Sequence, residues 1–518
     1  MKLMSRIHFL LAAGWFCAAT AQADPIITSW FTVNSGKYAR IYTNAANRTA
    51  GISHTTWGSV NSGQYPNPTY AGVHEIDYST NWAYIRSSGL SSFIMGPWNN
   101  PNLPKNQGTS TNVYRFPRGN AGTTNSPNSK TLTGMNSIGF LVDGVAIYNT
   151  SDGYSYSVGN SKDATPNGSI GQGDGIWNRD AWPNEMGSFD YALNHPQPSG
   201  QYHAHANPIG VRYLLGDNVN YDPVTKIYSE NTNLVLLKHS PIIGWLNDGL
   251  PLYGPYGYSN ATNAGSGVRR MISGFVLRDG SYGTTNLGIT SRTTLPAWAA
   301  LAQGKSITLT SGQFGPATNY TSGSGPATLT YTLGHYAEDY DYLGDLGFTQ
   351  GSTNTVGSYT AFFDLNKYNA RYCVTPDYPN GTWAYFVTLK ADGTPTYPYN
   401  VGRWYAGSPT GGSSTTTVMN SDTPLTLYFK GATNLPSLLN APSLNAGNVT
   451  LTWNAVEGGS YQVNISGTLN TWTTNTALNL TATNNTATAT ETNAANANSQ
   501  RFYRVVRTGV ASFDSNGY

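Results

Sequence analysis

Three of the chain's eight histidines lie within eleven residues, in the segment His195-Pro-Gln-Pro-Ser-Gly-Gln-Tyr-His-Ala-His205. Its Pro-Gln-Pro-Ser-Gly part predicts a tight turn, and the residues that follow predict the start of a strand. Because alternate side chains of a strand share a face, His203 and His205 should point the same way, with Ala204 on the opposite side. Two imidazoles at i and i+2, joined by a third through a turn, are typical of a metal site, and they also suit acid–base catalysis.

A fourth histidine extends this candidate site. His239 precedes a second apolar segment, and we expect the metal ligands to come from the four histidines His195, His203, His205 and His239. Neutral imidazole nitrogen suits zinc or copper best. The alternative is that these histidines are buried polar residues bonded to backbone carbonyls and tyrosine hydroxyls. The sequence lacks the paired C-x-x-C spacings that would decide for zinc.

Four further residues are candidates for orienting the ligating histidines through hydrogen bonds: Asp248, His335, Glu338 and Asp341. A carboxylate bonded to a ligating imidazole fixes its tautomer and ring orientation. The last three lie in Gly334-His-Tyr-Ala-Glu-Asp-Tyr-Asp-Tyr342, which is also readily explained as a polar, tyrosine-bearing loop.

Asp143 and Asp248 each begin an Asp-Gly pair within a faint internal repeat. The segment from Ile138 to Tyr148 parallels the segment from Ile243 to Tyr253. Both predict a strand, a tight primed turn and a second strand, because Asp-Gly between apolar runs favours a hairpin. The two aspartates could also be the paired carboxylates of a glycosidase, although turn geometry is the simpler explanation.

Composition favours an all-β protein. Short alternating runs separated by Gly, Pro, Asn and Asp dominate the chain, and amphipathic helical periodicity is nearly absent. The first region spans about residues 26–94, residues 99–130 read as loops, and a well-patterned core spans about 131–427. Residues 407–417 predict a flexible segment. Alternating strands from about residue 435 onward predict a small C-terminal β-sandwich of fibronectin type III kind.

The N-terminus predicts a secretory signal with cleavage after Ala23. A short basic region precedes an apolar run that is too short to span a membrane, and no later stretch qualifies as a span. Cleavage lowers the number of basic residues from 28 to 26, equal to the number of acidic residues, so the mature chain carries no basic footprint for nucleic acid. Cys373 is then the only cysteine, which excludes an intrachain disulfide. We expect a secreted, periplasmic or cell-surface protein.

Several motifs in order resemble those of YHYH-domain proteins, over roughly residues 80–405. The resemblance rests on the histidine segment 195–205, on His239-Ser-Pro-Ile-Ile-Gly-Trp-Leu-Asn-Asp-Gly-Leu-Pro-Leu-Tyr-Gly254 and on four shorter matches: Gly96-Pro-Trp98, Trp177-Asn-Arg179, Arg371-Tyr-Cys-Val-Thr-Pro376 and Pro379-Asn-Gly-Thr-Trp-Ala-Tyr-Phe386. The chain departs from the family at Ala204, where the family has tyrosine. The resemblance implies a YHYH-type domain, which we place at about 24–430, but it implies no reaction. The strand pattern of the tail places the sandwich at 431–518.

Three functions remain open at this stage. The first is a histidine-built copper or zinc site with redox or hydrolytic activity on an extracellular substrate. The second is a non-catalytic binding module for extracellular glycans or proteins, which the 13 Trp and 36 Tyr would suit. The third is a metal-free hydrolase that uses a histidine and a carboxylate, although no nucleophile motif supports it. The oligomeric state does not follow from the sequence.

Overall fold

Short strands dominate the computed structural model of the chain, which confirms the all-β prediction. The structure describes residues 24–58, 68–99, 102–107, 112–121, 128–164, 173–231, 233, 237–319, 321–322, 329–431, 442–455, 460–482, 486–497 and 500–507. The predicted signal at residues 1–23 lies outside them. Within the described part, no helix combines the length and apolar character needed to cross a bilayer.

An eight-stranded sheet carries the histidine segment at one edge. Its strands, in spatial order, are His195–Pro196, Tyr202–Ala204, Ala146–Ile147, Gly139–Leu141, Ile242–Leu246, Pro251–Tyr253, Thr382–Phe386 and Ala370–Cys373. The two hairpins of the internal repeat therefore lie side by side at the centre of the sheet. Each hairpin is extended outward by one parallel strand and then by one antiparallel strand.

An approximate twofold axis relates the two halves of this sheet. Phe140 pairs with Trp245, its counterpart in the repeat, and Gly139 and Gly244 take matching positions on either side of that pair. A Cβ on Gly139 would lie 2.4 Å from the Trp245 carbonyl oxygen, and a Cβ on Gly244 would lie 2.9 Å from that of Phe140. Glycine is therefore required where the two hairpins meet. The faint sequence repeat corresponds to the two four-stranded halves of the sheet.

The hairpin turns differ in type from the prediction. Positive φ is confined to the glycines, at 86° for Gly144 and 76° for Gly249, so the aspartates that precede them keep negative φ. The Gly144 N–H donates to the Leu141 carbonyl at 2.7 Å, which closes a four-residue turn whose last residue is the left-handed glycine. The predicted primed turn is wrong, although the predicted hairpins are present.

A five-stranded sheet combines the N-terminal region with two segments that the sequence assigned differently. Its strands, in spatial order, are Gly412–Thr415, Asn112–Pro117, Trp82–Ser87, Val73–Tyr78 and Thr426–Lys430. Asn112–Pro117 falls in the predicted loop region, and Gly412–Thr415 falls in the predicted flexible segment. Both predictions are wrong at these positions, because each strand pairs along four residues in this sheet.

Smaller sheets and short helices complete the region before residue 432. A three-stranded sheet contains Asn178–Asp180, Ser151–Ser157 and Lys162–Ala164. Paired strands are Arg40–Ile41 with Ile94–Met95, Val219–Asp222 with Ile227–Glu230, Tyr256–Asn260 with Asn263–Arg270, Phe275–Leu277 with Tyr340–Tyr342, Thr321–Ser322 with Leu329–Thr330, and Asn354–Val356 with Tyr359–Ala361. The helices are Pro25–Thr28, Ala45–Ala50, Ala181–Glu185, Ile209–Leu214, Leu287–Thr290, Ala297–Gln303 and Thr416–Ser421. Single 3₁₀ turns span Met186–Ser188, Ser281–Gly283, Ser311–Gln313, Ala337–Asp339 and Leu343–Leu346.

The C-terminal tail has two sheets and a hydrophobic core of its own. One sheet contains Ser443–Asn445, Asn448–Asn454 and Thr486–Glu491, and the other contains Thr473–Thr474, Ser460–Ser466, Leu480–Thr481 and Phe502–Arg507. A 3₁₀ turn at Thr476–Leu478 and a helix at Ala494–Ala497 connect strands. Leu451, Trp453 and Val463 lie at the centre of this core. The domain boundary near 430 and the fibronectin type III assignment stay predictions.

The main core joins the N-terminal region to the central sheet. It contains Ile26 and Trp30 near the start of the described chain, Phe140 and Trp245 at the centre of the sheet, and residues as late as Ala406. Burial of these side chains supplies the dominant stabilising contribution, since the described Cys373 is a free thiol.

Candidate metal centre

Strand pairing brings three histidines onto one face at the edge of the central sheet. His195 lies directly opposite His203 in the antiparallel pair, and His205 follows two residues later on the same side. The His203 Nε2 lies 3.0 Å from His195 Nε2 and 3.0 Å from His205 Nε2. The turn that joins the two strands uses Gly200 at a φ of 86°. The predicted convergence of these three residues is therefore present.

Each of the three imidazoles is held through its Nδ1 atom. His203 Nδ1 lies 3.1 Å from the Gln201 carbonyl oxygen, and His205 Nδ1 lies 2.7 Å from the Asn149 carbonyl oxygen. A carbonyl only accepts, so each Nδ1 is the donor and carries the proton. These bonds leave Nε2 of His203 and His205 unprotonated in the neutral rings.

His195 has the same tautomer for a less direct reason. Its Nδ1 lies 2.7 Å from Ser188 Oγ, whose own hydrogen is donated to the Glu185 carbonyl at 2.7 Å. The serine hydroxyl therefore accepts from His195 Nδ1. Three Nε2 lone pairs thus face one another, an arrangement that is repulsive until a cation or a proton lies among them.

Burial keeps the imidazoles neutral. It lowers the pKa of His195 to about 2, and the charge of His205 acts in the same direction. Burial also holds the pKa of His203 well below its usual value, with repulsion from the two neighbouring histidines adding to the effect. The pKa of His205 falls to about 4, because burial outweighs the hydrogen bond to the Asn149 carbonyl. Neutral imidazole is the form that binds a metal ion.

Aromatic rings shield the same histidines from water. Tyr148 stacks on His203 with ring centroids 3.9 Å apart, and Phe189 meets His195 edge-on at 4.6 Å. The Tyr148 hydroxyl donates to Gln201 Oε1 at 2.5 Å, which fixes the stacked ring. These aromatic rings lower the local dielectric constant, so a cation placed among the Nε2 atoms would interact strongly with those atoms.

Glu185 lies beside the three histidines and was not among the predicted residues. Its Oε2 lies 3.2 Å from His205 Nε2 and 3.7 Å from His195 Nε2. This oxygen is buried and has no hydrogen-bond partner among the described residues. Burial raises the pKa of the carboxyl to about 8. The available sequence signal was slight: an acidic residue ten positions before His195 in a chain with only 10% charged residues.

The histidine cluster falls within a recognised family segment. A family model described as YHYH protein matches residues 113–398, more than half of the chain. The chain belongs to the YHYH family. The resemblance inferred from the motifs is thereby confirmed. No curated protein and no solved structure matches the chain.

The family's tyrosine position is alanine here, and the structure shows what lies around it. Ala204 is fully buried and points into the main core, away from the Nε2 atoms. The twofold axis relates it to Tyr385, which occupies the same register in the other half of the sheet. The Tyr385 hydroxyl donates to Asp248 at 2.6 Å. In the first half, Ser91 supplies the equivalent hydroxyl to Asp143, also at 2.6 Å.

All four predicted ligands lie in the YHYH segment, but His239 lies apart from the other three. Its ring contacts Tyr258, Tyr253 and Phe386, and its Nδ1 bonds the Ser240 carbonyl at 2.7 Å. Phe386 belongs to a strand five positions across the sheet from the strand of His203, which corresponds to roughly 24 Å. The structure therefore does not bring His239 into the cluster.

The residues predicted to orient the histidines make their side-chain contacts elsewhere. His335 Nε2 lies 2.7 Å from Asp163, Glu338 accepts from Asn178, and Asp341 lies 3.6 Å from Arg278. Asp248 lies in the second hairpin turn, where its carboxylate accepts from the Tyr385 hydroxyl. Their predicted role is therefore replaced by backbone carbonyls and Ser188, which hold the Nδ1 atoms.

His335 nevertheless supports the cluster through its main chain. Its carbonyl accepts from the Asn184 amide at 3.0 Å and from the Asp180 N–H at 3.0 Å. Asp180 caps the helix Ala181–Glu185 by accepting from the Trp182 N–H. These bonds fix the short helix that places Glu185 beside the histidines.

The two turn aspartates are structural, and Asp143 gives a pH prediction. Burial raises the pKa of Asp143 to about 6, above its value in the unfolded chain. Its protonated form thus favours folding at low pH, and this contribution is lost as pH rises through about 6. Asp143→Asn keeps the shape without titrating. Relative to wild type, its unfolding free energy should rise by on the order of 2 kcal/mol between pH 4 and pH 8.

Denaturant unfolding of both proteins at several pH values measures this difference. The same substitution at Asp392, an exposed turn aspartate, is the matched control and should show no such rise. A constant difference between Asp143→Asn and wild type from pH 4 to pH 8 would contradict the assignment.

Proposed function

We propose that the YHYH domain binds one zinc or copper ion through Nε2 of His195, His203 and His205. The observation that supports this most directly is the convergence of three unprotonated Nε2 atoms, each fixed by a bond at Nδ1. The three residues also form a group of possible metal ligands with mutually close donor atoms. Their donor set, three neutral imidazoles, suits either metal, and the Glu185 carboxyl beside them would have to lose its proton to bind the ion.

Two of the separations among the donors match those around a single ion. Zinc–nitrogen bonds of about 2.0–2.1 Å place the ligand atoms of a tetrahedral site about 3.3 Å apart. His203 Nε2 lies 3.0 Å from both other Nε2 atoms, and the ligand atoms of the three histidines lie within 4.8 Å of one another. Three protein nitrogens with a displaceable fourth ligand are typical of catalytic sites, so we propose metal-dependent hydrolytic or redox activity on an extracellular substrate.

Elemental analysis of the mature chain, purified without a histidine tag, tests the metal proposal. We expect close to one zinc or copper per chain after incubation with either ion and gel filtration. His203→Ala/His205→Ala should lose that metal. His239→Ala is the matched control, because it removes a partly buried imidazole outside the cluster, and it should keep the metal. A chain that stays unloaded, or a double variant that loads like wild type, would refute the site.

We further propose that the protein is exported and that its mature form begins at Asp24. The N-terminal basic residues, apolar run and Ala21-Gln-Ala23 site support this. Expression of the full chain with its N-terminus intact, followed by intact-mass measurement of the exported fraction, tests it. A protein that keeps residues 1–23 and stays in the cytoplasm would contradict export.

A further inference from the structure

A shallow surface pocket unrelated to the metal centre carries unpaired polar groups. It is open to solvent and has a volume of about 300 Å³. Four tyrosines and two basic side chains line it: Tyr42, Arg48, Tyr191, Tyr221, Lys226 and Tyr228.

Tyr42 supplies a hydroxyl that has no protein partner. Its side chain is 3% exposed, and among the described residues its hydroxyl makes no hydrogen bond. The backbone of Tyr42 is fixed, because its N–H donates to the Met95 carbonyl at 2.9 Å. A buried hydroxyl left unsatisfied is unfavourable, so this position favours a ligand that can accept a hydrogen bond.

Arg48 supplies a charged donor beside it. The guanidinium lies 3.8 Å from the centre of the Tyr191 ring, and its Nη1 donates to the Thr225 carbonyl. Its Nε is buried without a hydrogen-bond partner in the described part of the chain. Arg48 lines the pocket together with Tyr42 and Tyr221. The free donor and positive charge select an anion.

Tyrosine rings form the rim of the pocket. Tyr221 and Tyr228 pair across a two-stranded sheet with ring centroids 4.8 Å apart, and Tyr191 is 39% exposed. The Tyr191 segment is held by Asp190, which accepts from the Gly96 N–H at 2.9 Å and from Tyr202 at 2.6 Å. Rigid, partly exposed tyrosines suit stacking against the apolar face of a sugar ring.

A carboxylate, that of Asp222, also lies on the same two-stranded sheet. Asp222 accepts from the Val224 N–H and from Thr225 Oγ1 within its own turn. These bonds hold its charge at the exposed end of the hairpin.

We propose that this pocket binds a carboxylated saccharide, such as a uronic acid residue. The carboxylate accepts from Tyr42 and from Arg48 Nε at the base, while the sugar ring lies on the tyrosines at the rim. The proposal is independent of the metal centre, because the three histidines do not line this pocket.

Titration calorimetry of the mature chain with an acidic and a neutral trisaccharide of the same linkage tests the proposal. We expect the uronic acid trisaccharide to bind about tenfold more tightly, as a hydrogen-bonded charge would provide. Tyr42→Phe should weaken that binding several-fold without lowering the melting temperature, because the lost hydroxyl has no protein partner. Arg48→Gln should remove the preference for the acidic sugar.

Matched controls separate the pocket from general charge effects. Arg115 lies 4.1 Å above the Trp82 ring, so Arg115→Gln removes a similar stacked cation elsewhere and should bind like wild type. The His203→Ala/His205→Ala protein should also bind like wild type. Equal binding of both trisaccharides, binding of neither, or unchanged binding by the Tyr42 and Arg48 variants would overturn the proposal. Acetate binding as tightly as the acidic trisaccharide would refute its saccharide part.

Discussion

Removal of the metal from the loaded chain with a strong chelator is expected to lower its melting temperature by about 5 °C. A ligand held at about a thousand times its dissociation constant stabilises the folded state by about 4 kcal/mol, and in a domain of several hundred residues each kcal/mol shifts the transition by only one or two degrees. Differential scanning calorimetry with one equivalent of zinc or copper, with and without chelator, measures the shift.

The size of this effect follows from the metal-free cluster. His203 is 2% exposed, and its Nε2 faces two other nitrogen lone pairs at 3.0 Å. A divalent cation converts that repulsion into three favourable bonds and leaves the bonds at Nδ1 unchanged. The unfolded chain offers no such preformed group, so the binding free energy contributes to folding.

The variants decide whether the shift belongs to this site. His203→Ala/His205→Ala should melt at the same temperature with metal and with chelator, whereas His239→Ala should show the wild-type shift. A metal-dependent shift of equal size in the double variant would mean that the ion binds elsewhere.

The histidine cluster was largely predictable from the sequence, because its geometry is local. A short turn after Pro196 reverses the chain, so that the strand of His203 pairs with the strand of His195. Because alternate side chains of a strand share a face, His205 lies on the same side as His203. Neither step depends on contacts far along the chain.

The positions of His239 and Glu185 relative to the cluster were not predictable, because they depend on contacts between distant parts of the chain. His239 is adjacent in sequence to the second hairpin, which pairs with the first hairpin at the centre of the sheet. The histidine cluster lies on the far side of the first hairpin, so His239 and the cluster are on opposite halves of the sheet. Glu185 reaches the cluster through a short helix whose position depends on the carbonyl of His335, 150 residues later. Sequence spacing carries no information about either relation.

The departure at Ala204 is explained by the symmetry of the sheet, which the sequence indicated only faintly. Tyr385 bonds the turn aspartate in one half of the sheet, and Ser91 bonds it in the other. Asp143 therefore has a hydroxyl partner although position 204 is alanine. The strand Asn112–Pro117 shows a simpler failure, since Gly- and Asn-rich neighbours masked its alternation.

Glu185→Ala is expected to weaken zinc binding by about 100-fold while leaving one site per chain. Its Oε2 lies 3.2 Å from His205 Nε2 and 3.7 Å from His195 Nε2, and among the described residues no other group bonds that oxygen. Loss of a ligand or of its supporting bonds commonly reduces affinity by about 10- to 100-fold or more. Competition with a chromophoric chelator measures the dissociation constant.

Cobalt substitution shows whether the carboxylate is bound directly. We expect the visible spectrum of the cobalt-loaded wild type to differ in position and intensity from that of Glu185→Ala, because the fourth ligand changes from carboxylate to water. Glu185→Gln, which keeps the shape but not the charge, should resemble the alanine variant in affinity. Asp392→Asn is the matched control for loss of a carboxylate and should resemble wild type.

The two outcomes assign different chemistry to the same three histidines. If Glu185 binds the metal, a substrate must displace it, and its position at the end of a short helix with a side chain 25% exposed allows that exchange. If affinity and spectrum are unchanged in Glu185→Ala, the carboxylate is not a ligand. The three histidines alone would then hold the metal, which would supply Lewis-acid chemistry there, and Glu185 would lie beside them as a group able to exchange protons.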